Sequence, residues 1–179
     1  MYIVKWILLG MVFCTSSAIG ILISKKYSNR LYILKNLKSG LSIFEVKINF
    51  SCETIPEIFK EISQKIKGVA GKIFEDTIEI MKNNEINIIG DAWDKSLEKN
   101  SENLKREDIE SLRTLGKLLG KTDIEGQISQ IKLVIEFLDK QIQEAIEEKN
   151  KIILDATSMH EKETDSFDKY YEKIKKINI

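Results

Sequence analysis

The sequence predicts an all-α protein: an N-terminal transmembrane helix continuing into a cytoplasmic antiparallel bundle of about six helices. Three observations carry this. Residues 6–23 form an uncharged, mostly apolar run. Beyond that run, apolar residues recur at steps of three and four, the period of a helix, and no segment alternates convincingly at the period of two that a strand needs. Capping and stopping residues fall at the ends of the periodic stretches. With 179 residues, 42% hydrophobic and 31% charged, the chain has room for one ordinary domain around a single core.

The first element is the uncharged run, WILLGMVFCTSSAIGILI. As a helix it covers about 27 Å, close to the hydrocarbon thickness of a bilayer. Trp6 and Tyr27 suit the two aromatic belts, and Lys5 can snorkel to the nearer interface. The rival reading is a cleaved signal peptide. Against it, the run is longer than an ordinary signal core and continues past the one small-residue site near Ala18. A lipoprotein signal at Cys14 is disfavoured by Phe13, too large for the position before a modified cysteine. Lys25, Lys26, Arg30, Lys35 and Lys38 crowd the exit against Lys5 alone before the run, which places the body of the protein in the cytoplasm.

Past the exit, Leu31, Leu34, Leu37, Leu41, Phe44 and Ile48 make an amphipathic stripe, so one long helix runs out of the bilayer to a loop near residues 51–53. Thr54-Ile-Pro-Glu57 reads as a capping box, with the one proline in the first turn. A short helix follows to about Gly68. Residues 69–82 form another, with Ile73, Phe74, Ile78 and Met81 facing inward, broken by Asn83-Asn84. Residues 88–97 give a fourth helix carrying Trp93, residues 98–103 a loop, and residues 108–119 a fifth helix stopped at Gly120. Thr122-Asp-Ile-Glu125 reads as a second capping box. It opens the longest helix, where Ile128, Ile131, Ile135, Leu138, Ile142 and Ala145 form a coiled-coil-like seam. That seam packs against the bundle's own first helix or pairs with another protein. The charged tail, residues 155–179, either prolongs the helix or is loosely ordered. The organisation is therefore residues 1–25 transmembrane, 26–154 cytoplasmic bundle and 155–179 tail.

Charge and chemistry exclude more than they propose. Lys+Arg and Asp+Glu are equal at 28 each, so no global charge points to nucleic acid. Between residues 25 and 72 there are ten basic residues against four acidic ones; this basic part lies beside the apolar run, where it can meet anionic lipid headgroups. Cys14 and Cys52 read as reduced thiols. His160, the only histidine, has no ligand cluster around it, so neither a metal site nor a Cys–His nucleophile is supported. No phosphate-binding glycine loop occurs. Catalytic residues, cofactors and metals are expected to be none.

One stretch stands out: Leu112-Arg-Thr-Leu-Gly116-Lys-Leu-Leu-Gly120-Lys-Thr-Asp123-Ile-Glu-Gly-Gln127. Gly116 and Gly120, four apart, let a neighbouring helix approach, Gly120 turns the chain, and Asp123 falls at the positive end of the next helix with Gln127 one turn on. A tight helix–turn–helix corner explains most of these choices. The pattern LxxLGxxLGxxDxxxQ, the Ala92-Trp93 pair after Gly90, and the Leu41, Glu45 and Thr54-Ile-Pro56 positions within residues 37–56 resemble stage III sporulation protein AB, over about residues 1–151. The resemblance implies a membrane protein of the mother cell of an endospore-forming bacterium. Its cytoplasmic domain would be similar to type II secretion F-type platform domains. Its partners would be a secretion-type ATPase (stage III sporulation protein AA), other subunits of a channel joining mother cell and forespore, and membrane lipid; it would contact no nucleic acid, and homo-oligomers are possible. By matching positions, Trp93, Leu115, Gly116, Leu119, Gly120, Asp123 and Gln127 carry the family signature, as architecture or partner contact. Members of this family usually end in a second apolar segment; here only Ile152-Ile-Leu154 precedes the charged tail. The competing hypothesis is a membrane-tethered coiled-coil scaffold or signalling module working through the seam.

Overall fold

The computed structural model describes residues 2–51, 53–83 and 88–177, with many side chains near the two termini excepted; Cys52 and the Asn84 breaker lie outside the described residues. Six α-helices follow one another: α1 (Tyr2–Phe50), α2 (Ile55–Lys65), α3 (Gly68–Lys82), α4 (Ile89–Lys99), α5 (Arg106–Leu118) and α6 (Ile124–Ile177). No strand occurs among the described residues. The tail prolongs α6 as far as Ile177, and the side chain of His160 lies outside those described.

The chain divides into two units, Asn29–Ala145 and a second made of Met1–Ser28 with Ile146–Ile179. In the second unit the uncharged run is helical as part of α1. Of its side chains only a few are described, among them Ile7, Met11 and Val12, which are 61%, 65% and 65% exposed. Cys14 is exposed and unbonded to any other cysteine. Among the described residues, no helix is long and apolar enough to cross a membrane.

In the first unit the expected stripe on α1 is the core: Leu34, Leu37, Leu41 and Phe44 are fully buried. Phe44 meets Phe59 of α2, which with Phe74 of α3 and Trp93 of α4 forms a cluster of rings edge-on or tilted at centroid distances of 5.0–5.5 Å. Each such side chain contributes about 1.5–3 kcal/mol of burial, and each aromatic pair about 0.5–1.5 kcal/mol more. Gly40 lets α1 approach this cluster, because a Cβ there would stand 2.9 Å from the Phe74 ring. The α2 cap forms as read: the Glu57 carboxylate accepts the Thr54 N–H at 2.7 Å, with Pro56 in the first turn.

The seam on α6 is occupied within the unit. Lys38 pairs with Asp139 and Glu45 with Lys132, so seven residues forward on α1 match seven backward on α6, the signature of antiparallel packing. Ile131, Leu138, Ile142 and Ala145 are buried as expected of the seam, but Ile128 and Ile135 are only half-buried, and Gln127, Val134 and Gln141 take inner positions beside them. A hydrophobic pattern could not register two of those three, because they are amides. Gln141 Nε2 donates to Glu107 O and Ser111 Oγ, both at 2.9 Å, tying α6 to α5.

Candidate functional site

The seven signature residues gather around the two ends of one crossing, α4 over α5, and the corner that follows it. The crossing exists because two glycines meet. A Cβ on Gly90 would fall on the carbonyl oxygen of Gly116, and a Cβ on Gly116 would stand 2.7 Å from Trp93 Cδ1. With both atoms absent, Trp93 is fully buried and its Nε1 donates to Leu112 O at 2.9 Å. Leu115, 1% exposed, and Leu119, 2% exposed, complete this wall. Gly116 thus serves the approach expected of it. Gly120 does not share its helix face: it lies beyond the end of α5 with φ +71, the left-handed C-terminal cap that glycine adopts without strain.

The corner is then fixed by side chains. Asp123, not Thr122, caps α6: Asp123 Oδ1 accepts the Gly126 N–H at 2.9 Å, and Asp123 O accepts the first helical bond, from Gln127, at 3.0 Å. The expected Thr122–Glu125 box is corrected by one residue, in favour of the carboxylate. A Cβ on Gly126 would press to 2.8 Å on that carboxylate, so the glycine leaves room for the cap. Gln127, 8% exposed, turns its Nε2 back to Thr122 O at 3.0 Å and closes the loop. Two acceptors here, Gln127 Oε1 and Thr122 Oγ1, are buried without a partner. Beside the corner, an open apolar cleft of about 500 Å³ is lined in part by Leu119, Gly120, Ile55, Met81 and Ile88.

The five signature side chains, those of Trp93, Leu115, Leu119, Asp123 and Gln127, are engaged inside the unit in packing, in a helix cap or on a backbone carbonyl. Asp123 and Gly120 alone are exposed. Among the described residues no three His, Cys, Asp or Glu side chains gather as a metal site would require. Asp94, facing Gly116 from α4, has its carboxyl pushed above the usual carboxylate range by burial, with Arg113 opposing.

Sequence reading missed the pair that holds the other end of α5. Arg30, counted among the lipid-facing basic residues, is 4% exposed and forks onto Asp108, itself fully buried. Nε reaches Oδ2 and Nη2 reaches Oδ1, both at 2.8 Å, while Oδ2 also accepts the Lys105 N–H at 2.8 Å. Seventy-eight residues separate the two, and nothing local signals the pairing.

The profile of the stage III sporulation protein AB family matches residues 5–152. A solved structure titled stage III sporulation protein AB is 21% identical; the alignment covers 69% of this chain and 98% of that one, with a TM-score of 0.63. That likeness shows a shared fold. No curated protein matches.

Proposed function

Since the chain belongs to the stage III sporulation protein AB family, and so has a role at stage III of sporulation, we propose that it is a non-catalytic membrane platform. In this role it links a cytoplasmic secretion-type ATPase, stage III sporulation protein AA, to the other subunits of a channel between mother cell and forespore. The observation that carries the reading is that the signature residues pack, cap and turn helices within the bundle, which suits a surface to be contacted rather than a reaction site.

The anchor is the uncharged run at residues 6–23. Its described apolar side chains stand exposed, as a lipid-facing surface does, and Lys25 and Lys26 at its exit are exposed where anionic headgroups attract them. Arg30 contributes to the bundle instead. The more basic exit keeps the bundle in the cytoplasm in a single-pass topology, in the mother-cell membrane facing the forespore. The partners are the ATPase, channel subunits and lipid.

The test is co-purification of the full chain with the ATPase in reconstituted membranes, alongside a knockout scored for spore formation. Stable association and a sporulation block are expected; an intact sporulation count in the knockout refutes the platform.

A further inference from the structure

Helix α1 carries a second stripe, on the side away from the core. Tyr32, Asn36, Ser39, Ile43, Val46 and Phe50 follow one another at steps of four, three, four, three and four. That is the spacing of a coiled-coil seam, with Asn36, Ile43 and Phe50 at a and Tyr32, Ser39 and Val46 at d. At about 100° per residue these six gather opposite Leu34, Leu37, Leu41 and Phe44, which line the core. The stripe is open: Tyr32, Val46 and Phe50 are 54%, 58% and 82% exposed, Ser39 is exposed, and Asn36 and Ile43 are half-buried.

The charges that border the stripe are already engaged. Toward α6, Lys38 pairs with Asp139 and Glu45 with Lys132; toward α2, Lys47 bridges Glu53 and Glu61. Among the residues of α1 exposed between 29 and 50, Lys35 is the one that carries charge. Ser39 Oγ donates to Lys35 O at 3.0 Å and asks for nothing more. Asn36 differs, because its Nδ2 is buried without a partner. An open, uncharged stripe at this spacing fits another helix, and the unmet amide limits which helix.

We propose that this stripe pairs with the same stripe of a second copy, as a short parallel two-stranded coiled coil. Parallel, in-register pairing sets each residue against itself. Asn36 then meets Asn36, and turning the amide about χ2 brings its donor to the acceptor of the other copy. A single Asn at a is what fixes register in such a pair, and β-branched Ile43 at a suits two strands. Val46 and Phe50 complete an apolar half beyond it. Antiparallel pairing about the midpoint would set Asn36 against Val46 and strand the amide. In the parallel pair Lys35 flanks Gly40 of the second copy, and Ser42 flanks its Lys47, so no like charges oppose. From Tyr32 to Phe50 the stripe spans about 27 Å, near the low end of specific interfaces, so the dimer is a weak one.

The experiment is disulfide cross-linking of the full chain in detergent, with Cys14→Ser and Cys52→Ser as background. Single cysteines are placed at Val46→Cys, at Ser39→Cys and, as a control for random collision, at Lys60→Cys on the exposed side of α2. Val46→Cys and Ser39→Cys should each cross-link about tenfold more than Lys60→Cys at equal concentration. Adding Val46→Glu to the Ser39→Cys chain should remove that excess while the chain melts like the parent. In an antiparallel pair the two Val46 positions lie about 15 Å apart along the axis, beyond the reach of a disulfide. Cross-linking at Ser39→Cys without Val46→Cys therefore overturns the proposal. So do yields no higher than the control, an excess that survives Val46→Glu, and a monomer whose Val46→Glu variant loses a different bound protein.

Discussion

Helix α5 is held at its two ends by opposite means. Its N-terminal end is held by charge: Asp108, fully buried, takes the Arg30 fork and the Lys105 N–H together. Its C-terminal end is held by missing atoms, the side chains that Gly90, Gly116 and Gly120 do not have. The two solutions differ in what they tolerate. A buried ion pair contributes little net stability over apolar residues of the same shape, but breaking it strands a charge in the core. A glycine contact has no partner to strand; it fails by overpacking, in proportion to how little the neighbour can yield.

The largest effect follows from that difference. Arg30→Met leaves Asp108 buried without its countercharge and should cost about 3–5 kcal/mol, read as a lower midpoint in thermal unfolding of the full chain by circular dichroism. Arg30→Met/Asp108→Leu should recover most of the loss, since the cost lies in the orphaned carboxylate. A double variant no more stable than the single would mean that the N-terminal end depends on the pair's attraction after all.

At the other end no compensating partner exists. Gly116→Ala drives a Cβ to 2.7 Å from Trp93 Cδ1 and 3.2 Å from Gly90 O, and Trp93 is fully buried with its indole N–H committed to Leu112 O. The expected loss is about 2–3 kcal/mol, and Gly90→Ala, which meets backbone, should cost more than Gly116→Ala in the same melts. A smaller step is Gly120→Ala, where the left-handed conformation alone is penalised, by about 1 kcal/mol. If Gly120→Ala proved as costly as Gly116→Ala, the corner and not the crossing would be the tighter element.

These ends also differ in how far they could be read from the chain. The C-terminal end was legible because its physics is local: glycines four apart, a carboxylate after the turn and an amide one turn on lie within sixteen residues. Even there Thr122 and Asp123 are both good caps, and only the fold chooses Asp123. The N-terminal end was not legible, because Arg30 sits among exit lysines of the same charge and its partner lies far along the chain. The inner positions of α6 were blurred likewise by Gln127 and Gln141, amides whose burial depends on carbonyls of the corner and of α5.

The smallest effect separates the cap from the ion pair at the N-terminal end of α5. Glu57 makes on α2 the contact that Asp108 makes on α5: a carboxylate three residues into the segment accepting the backbone N–H that opens it, at 2.7 Å against 2.8 Å. Glu57 does so in water and without a guanidinium. The Thr54 N–H, and then its hydroxyl, hold the Glu57 carboxyl below its usual value. A lowered carboxyl pKa adds stability that is complete above the unfolded value, about 4.3 for Glu, and is lost as pH falls through the folded one. Melting midpoints of the parent and Glu57→Gln should therefore differ slightly at neutral pH and converge in acid. A difference that persists in acid would show that the carboxylate charge is not what secures α2. What Arg30→Met/Asp108→Leu fails to recover, having lost the Lys105 N–H contact with Asp108, could then not be assigned to the cap by this comparison.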